Sequence, residues 1–125
     1  MDIAIDFDGT LVTHEYPNVG KNNEGSVNVV KELVKNNHNI ILYTMRSGKT
    51  LQDAIEWCKK HEIPLYGINY NPSQTWTESP KAYAQLYIDD AALGCPIKFD
   101  KNISSRVFVD WIKVREMLVN MNIIN

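Results

Sequence analysis

Four short apolar runs punctuate the chain: IAI at 3–5, IILY at 40–43, LYGI at 65–68 and LYI at 86–88. Each closes on a polar residue. Runs of this length without polar alternation suit strands buried on both faces. Helical periods lie between and after them. Val27, Val30, Leu33 and Val34 recur at helical spacing behind Ser26, a candidate N-cap, and stop at the breaker-rich NNHN. Leu51, Ala54, Ile55 and Cys58 fall at i, i+3, i+4 and i+7, which predicts a helix over Thr50–His61 with Pro64 beyond it. Val114, Met117, Leu118 and Met121 repeat the pattern in the tail. Strands alternating with helices predict an α/β fold, a doubly wound and mostly parallel sheet flanked by helices. THEYPNVGKNNEG has no period and reads as an irregular excursion or small hairpin, and NYNPSQTWTESP reads as a long loop.

With 125 residues, 44% of them hydrophobic and 22% charged, the expectation is one globular domain over 1–125 with a single core. A net charge of -2 and scattered Lys and Arg residues give no support for a nucleic-acid surface. No apolar run approaches the roughly 20 residues that cross a bilayer. Cys58 and Cys95 stand outside any CxxC or Cys/His spacing, and the chain opens Met-Asp without an apolar leader. Reduced, structural thiols in a cytoplasmic protein are the expectation. His14, His38 and His61 sit in polar surroundings without ligand spacing and read as surface residues, while Trp57 and Trp111 fall in helical patterns and read as packing.

In parallel α/β sheets the ligand crevice lies outside the carboxyl ends of the strands. Asp6 closes the first strand, Thr44 the second, and Asp89 with Asp90 the fourth, so an acid, a hydroxyl and an acid pair converge on one rim. Asp6 and Asp8 stand two apart and leave the same side of an extended chain. Close carboxylates repel, and a hard dication with oxygen ligands, best matched by Mg2+, relieves that repulsion. Such a metal suits phosphoryl chemistry better than redox chemistry.

DFDGTL at Asp6–Leu11, ILYT ending at Thr44, Lys81, and YIDD ending at Asp90 follow the order of the motifs of the haloacid dehalogenase (HAD) superfamily. The chain resembles a small HAD phosphatase. The resemblance implies that Asp6 is the nucleophile, forming an aspartyl-phosphate, and that Asp8 protonates the leaving group and then activates water. An acid at the position of Asp8 favours phosphate-ester hydrolysis over carbon–halogen cleavage. Thr44 would hydrogen-bond the transferring phosphoryl group and Lys81 would neutralise its charge. Asp89 would bind Mg2+ with Asp6 and the backbone carbonyl of Asp8, and Asp90 would act through water or by orienting Lys81. Arg46 and Ser47 follow Thr44 in a loop expected to face the site, where a phosphate contact from Arg46 competes with an exposed turn. Plainer roles compete elsewhere too: Thr44 as a strand-to-turn hydroxyl, Lys81 as a surface lysine after Pro80, and Asp90 as a cap for AALG.

The intervals Thr10–Thr44 and Thr44–Lys81 leave no room for the cap domain many such proteins insert there. An open site is expected, covered only by the excursion and the long loop, with Tyr16, Tyr66, Tyr70 and Trp76 as candidates for its entrance. By the resemblance, capless members act on large substrates, or on small ones when a neighbouring subunit covers the site, so a homo-oligomer is one expectation. Two other classes compete. A receiver-type phosphoacceptor domain would carry its lone Asp after strand three, where YGIN has none. A catalytically silent HAD-like binding module would leave the intact motifs without a purpose. The class of phosphorylated substrate stays open at this level.

Overall fold

The computed structural model describes residues 1–125. The first apolar run forms β1 (Asp2–Ile5), and the others form β2 (Asn39–Leu42), β3 (Gly67–Ile68) and β4 (Leu86–Ile88). They join in one wholly parallel sheet of order β3-β2-β1-β4. Register sets Ile3 opposite Ile40 and Leu86, and Ile5 opposite Leu42 and Ile88, so β1 is the central strand. The ladder runs one residue further: the Asp6 amide donates to Ile88 and the Tyr43 amide to Ile5. Continued by one residue, that register sets Asp6 between Tyr43 and Asp89, and Thr44 follows one position on, at the same end of the sheet.

Alternation along the strands decides what each face carries. Ile3, Ile5, Ile40 and Leu42 enter the main core with the apolar stripes of α1 (Ser26–Lys35), α2 (Gly48–Lys60) and the C-terminal helix α3 (Trp111–Asn120). Val30, Leu33, Trp57, Cys58, Trp111 and Leu118 are all buried there. Each such side chain removed from water stabilises the fold by about 1.5–3 kcal/mol before entropy is counted. The opposite face holds Ala4 and Ile41, packed with Ala84 and flanked by Tyr43 and Tyr87. There the chain crosses from β3 to β4 as an irregular segment over 69–85, without a helix. Small side chains let this segment lie close to the sheet. Buried Asn71 anchors it, donating to Asp2 Oδ2 at 2.9 Å and to the Tyr83 carbonyl at 3.1 Å.

The α/β class, the parallel sheet and the absence of a separate cap match the sequence reading, and the second layer is a loop crossover. Ser26 departs from expectation. Gly25, at φ 85°, takes the N-cap position, and the buried Ser26 hydroxyl donates to the Leu11 carbonyl at 2.9 Å, tying α1 to the excursion. The excursion closes as a small hairpin, with Val12 bridged to Asn22 and the Thr13 amide donating to Lys21. A second hairpin, β5 (Ile97–Lys98) with β6 (Phe108–Val109), was not foreseen and leads directly into α3, which Asp110 caps at the Lys113 amide. Trp57 and Trp111 pack in the core as expected, and both cysteines are free. Burial pushes the Cys58 thiol up to about 12, which keeps it protonated and inert. No helix is long and apolar enough to cross a membrane.

Candidate active site

Asp6, Asp89 and Asp90 can bring carboxylate oxygens within 4.8 Å of one another at the strand ends. Gly9 makes the approach of Asp90 feasible: a Cβ there would stand 2.6 Å from Asp90 Oδ2, and its φ of +79° is one that side chains disfavour. The buried Thr10 hydroxyl lies 3.0 Å from Asp6 Oδ2 and 3.3 Å from Asp90 Oδ1, and it accepts the Asp90 amide at 3.2 Å. Having one proton, it can serve only one of the two carboxylates at a time. The Thr10 carbonyl is fixed in turn by Trp111 Nε1 at 2.7 Å and Asn23 Nδ2 at 2.9 Å.

Burial raises Asp6 to about 8. The adjoining Asp90 carboxylate and the charge on Asp89 push the same way, and the Thr10 hydrogen bond opposes them. Asp89 is also raised, first by burial and then by Asp90, against a hydrogen bond from the Ala91 amide. Three carboxylates crowded at the strand ends supply hard oxygen donors, a site that a small divalent cation fits.

Asp8 has a different environment. Arg46 holds it with Nε on Oδ2 and Nη2 on Oδ1, both at 2.7 Å. Arg46 is 3% exposed, and its guanidinium gives its remaining protons to the carbonyls of Asn18 at 2.8 Å, Thr50 at 3.1 Å and Pro17 at 3.3 Å. It lies between the rings of Phe7 and Tyr16, at 5.0 and 5.2 Å. Its pKa is raised, chiefly by the hydrogen bonds to Asp8. This corrects the expected phosphate contact: every N–H of Arg46 is already donated within the chain, so none is left for a ligand. Arg46 instead fixes the Asp8 carboxylate and ties it to the excursion.

Thr44 lies where expected. Its amide donates to Asn69 Oδ1 at 2.8 Å and its hydroxyl accepts from the Arg46 amide at 3.1 Å, which leaves the hydroxyl proton for the cleft. Asn69, at φ 56°, closes β3 and was not singled out from the sequence; its value lies in a turn conformation that asparagine tolerates. Lys81 is not brought to the rim. Its segment is stapled by Gln74, whose Nε2 donates to the Lys81 carbonyl at 2.9 Å and whose Oε1 accepts the Tyr83 amide at 2.7 Å, and the ammonium lies 5.7 Å from the Tyr87 ring centre.

The cleft over these groups has a volume of about 400 Å³. Besides Asp6, Asp8, Thr44, Arg46, Asp89 and Asp90, its walls include His14, Tyr16, Met45 and Arg106. Among the four aromatic candidates for the entrance, only Tyr16 lines it: Trp76 packs edge-on to Tyr83, and Tyr66 hydrogen-bonds Ser73. The three histidines are all half-buried rather than on the open surface. His38 is held between the N-terminal amine and the Ile123 carbonyl.

The sequence profile of the haloacid dehalogenase-like hydrolases matches residues 3–120. The chain belongs to that family. A conserved protein of solved structure from Bacteroides thetaiotaomicron is 34% identical to this HAD-like hydrolase and superposes with a TM-score of 0.79, covering 97% of this chain and 91% of its own. No curated protein matches. Membership accounts for the order of the motif residues along the HAD-like chain, and the acid cluster at the strand ends gives this member a place for a metal.

Proposed function

We propose that the protein is a Mg2+-dependent phosphatase that hydrolyses a phosphate monoester through an aspartyl-phosphate on Asp6, in an open cleft without a cap. The observation that carries this reading is the division between two kinds of carboxylate. Asp6 belongs to a crowded acid cluster, whereas Asp8 is held apart by Arg46.

Asp6, Asp89 and Asp90 would hold the ion. When bound, it supplies positive charge that favours the ionised cluster and offsets repulsion between carboxylate and phosphate. An ionised Asp6 attacks phosphorus, the bond from phosphorus to the ester oxygen breaks, and the phosphoryl group passes to Asp6. The acid form of Asp8 gives its proton to the departing oxygen, and the resulting carboxylate, clasped by Arg46, takes one from the water that cleaves the aspartyl-phosphate, which returns Asp8 to its acid form and Asp6 to its carboxylate. The Thr44 hydroxyl donates to a phosphoryl oxygen. The bidentate clamp of Arg46 fixes the direction of the Asp8 oxygens and thereby the path of the proton.

The test is phosphate release from an aryl phosphate and a panel of phosphometabolites, with and without Mg2+, by the native protein and Asp6→Asn. Metal-dependent release that Asp6→Asn lacks is expected. Equal release by both proteins, or none on any substrate, overturns the reading; binding of phosphate esters without turnover would instead mark a silent binding module.

A further inference from the structure

We propose that the cleft selects phosphate monoesters whose leaving group carries a second anionic group, a carboxylate or another phosphate, and that Arg106 together with His14 holds that group. The proposal rests on the phosphatase reading and names its substrate class.

The charge inventory of the cleft leads to it. Four aspartates line it against two arginines, and Arg46 has no donor left to offer. Among the chain's three arginines, Arg46 and Arg115 each clasp a carboxylate through two nitrogens, on Asp8 and Glu32. Arg106 has no carboxylate partner. Its single side-chain hydrogen bond joins Nη1 to His14 Nδ1 at 3.4 Å, so Nε and Nη2 make none within the chain. A guanidinium with free donors on the wall of an acidic cleft is matched by an anionic ligand group.

Position assigns that group to the leaving group rather than to the phosphoryl being transferred. The phosphoryl group must meet Asp6 at the strand ends, whereas His14 stands on the excursion and Arg106 on the connection between β5 and β6. These two walls are joined. Lys21 Nζ donates to the Ile103 carbonyl at 2.9 Å, and Lys21 is itself paired with Thr13, the neighbour of His14. The Arg106 amide donates to Ser104 Oγ at 3.2 Å, and the Ser104 amide to the Asp100 carbonyl at 3.0 Å, so the arginine leaves a hydrogen-bonded turn. A cleft of about 400 Å³ has room for a phosphate and a short anionic skeleton together.

Two esters that differ in this group decide the matter: 3-phosphoglycerate carries a carboxylate and glycerol 3-phosphate does not. With Mg2+, the native protein is expected to favour 3-phosphoglycerate in kcat/KM, and Arg106→Gln to lose about tenfold of that preference, mainly through KM. His14→Gln should lose a smaller part. A preference that Arg106→Gln leaves unchanged overturns the proposal, because Arg106 then serves both esters alike or neither. Failure of the native protein to hydrolyse either ester would count against the phosphatase reading, and calorimetric titration of Asp6→Asn, with and without Arg106→Gln, then tests the subsite alone. Tighter binding of 3-phosphoglycerate that depends on Arg106 supports the subsite; equal affinities for the two esters, or none, overturn it.

Discussion

Gly9 and Arg46 show how single residues set the chemistry. A methyl group at Gly9 would press on Asp90 and hold an alanine at positive φ, so Gly9→Ala is expected to cost roughly 1–2 kcal/mol and to weaken Mg2+ binding. Urea denaturation and a metal titration would check both. Removing Arg46 leaves the Asp8 carboxylate without its clamp and three carbonyls without donors. Arg46→Ala is therefore expected to lose about 3–5 kcal/mol of stability along with activity, and Arg46→Lys to recover only part of either. A phosphate-binding arginine would instead raise KM and leave the urea midpoint in place. Asp6, Thr44 and Asp89 were legible in the sequence because each closes an apolar run at a strand end, and Asp8 and Asp90 because they stand beside those acids in DFD and DD. Arg46 was misjudged because the partners that consume its donors are mostly backbone carbonyls, which no side-chain pattern announces.

At the scale of elements, α3 supports the site from behind. Trp111, its first residue, hydrogen-bonds the Thr10 carbonyl, and the Thr10 hydroxyl stands between Asp6 and Asp90. Trp111→Phe keeps most of the apolar volume and removes that bond, so a loss of about 1–3 kcal/mol in urea is expected, accompanied by slower turnover; an unchanged midpoint would detach α3 from the site. The helix itself was readable from its period. Its link to Thr10 was not, since the two residues lie far apart in sequence. The β5–β6 hairpin escaped notice because two-residue strands carry no period, and with it went Arg106. Lys81 was expected near the phosphate on the strength of motif order, yet the Gln74 staple holds its segment against the opposite face of the sheet. Motif order states which residues the family shares; the irregular crossover over 69–85 decides where one of them sits.

For the molecule as a whole, the acid cluster links metal, pH and stability. With Asp6 at about 8 when folded and near its ordinary 3.8 when unfolded, the folded chain keeps a proton that the unfolded chain has released. In EDTA, stability should accordingly fall as pH rises from about 4 to 8, by an amount on the order of a few kcal/mol, and level off above that. Asp6→Asn has no such proton, so its melting temperature in EDTA should exceed that of the native protein at pH 8 by more than at pH 5. Mg2+ should raise the native melting temperature at pH 8 and that of the variant far less. Parallel pH profiles for the two proteins would contradict this coupling.

The claim that joins these scales is that Asp6 accepts a phosphoryl group. Beryllium fluoride, which mimics a phosphoryl group on a carboxylate, tests it without knowledge of the substrate. Fluorine NMR of the native protein with Mg2+ is expected to show a bound resonance that disappears with EDTA and is missing in Asp6→Asn. A bound signal of equal strength in Asp6→Asn, or none in the native protein, would contradict the account.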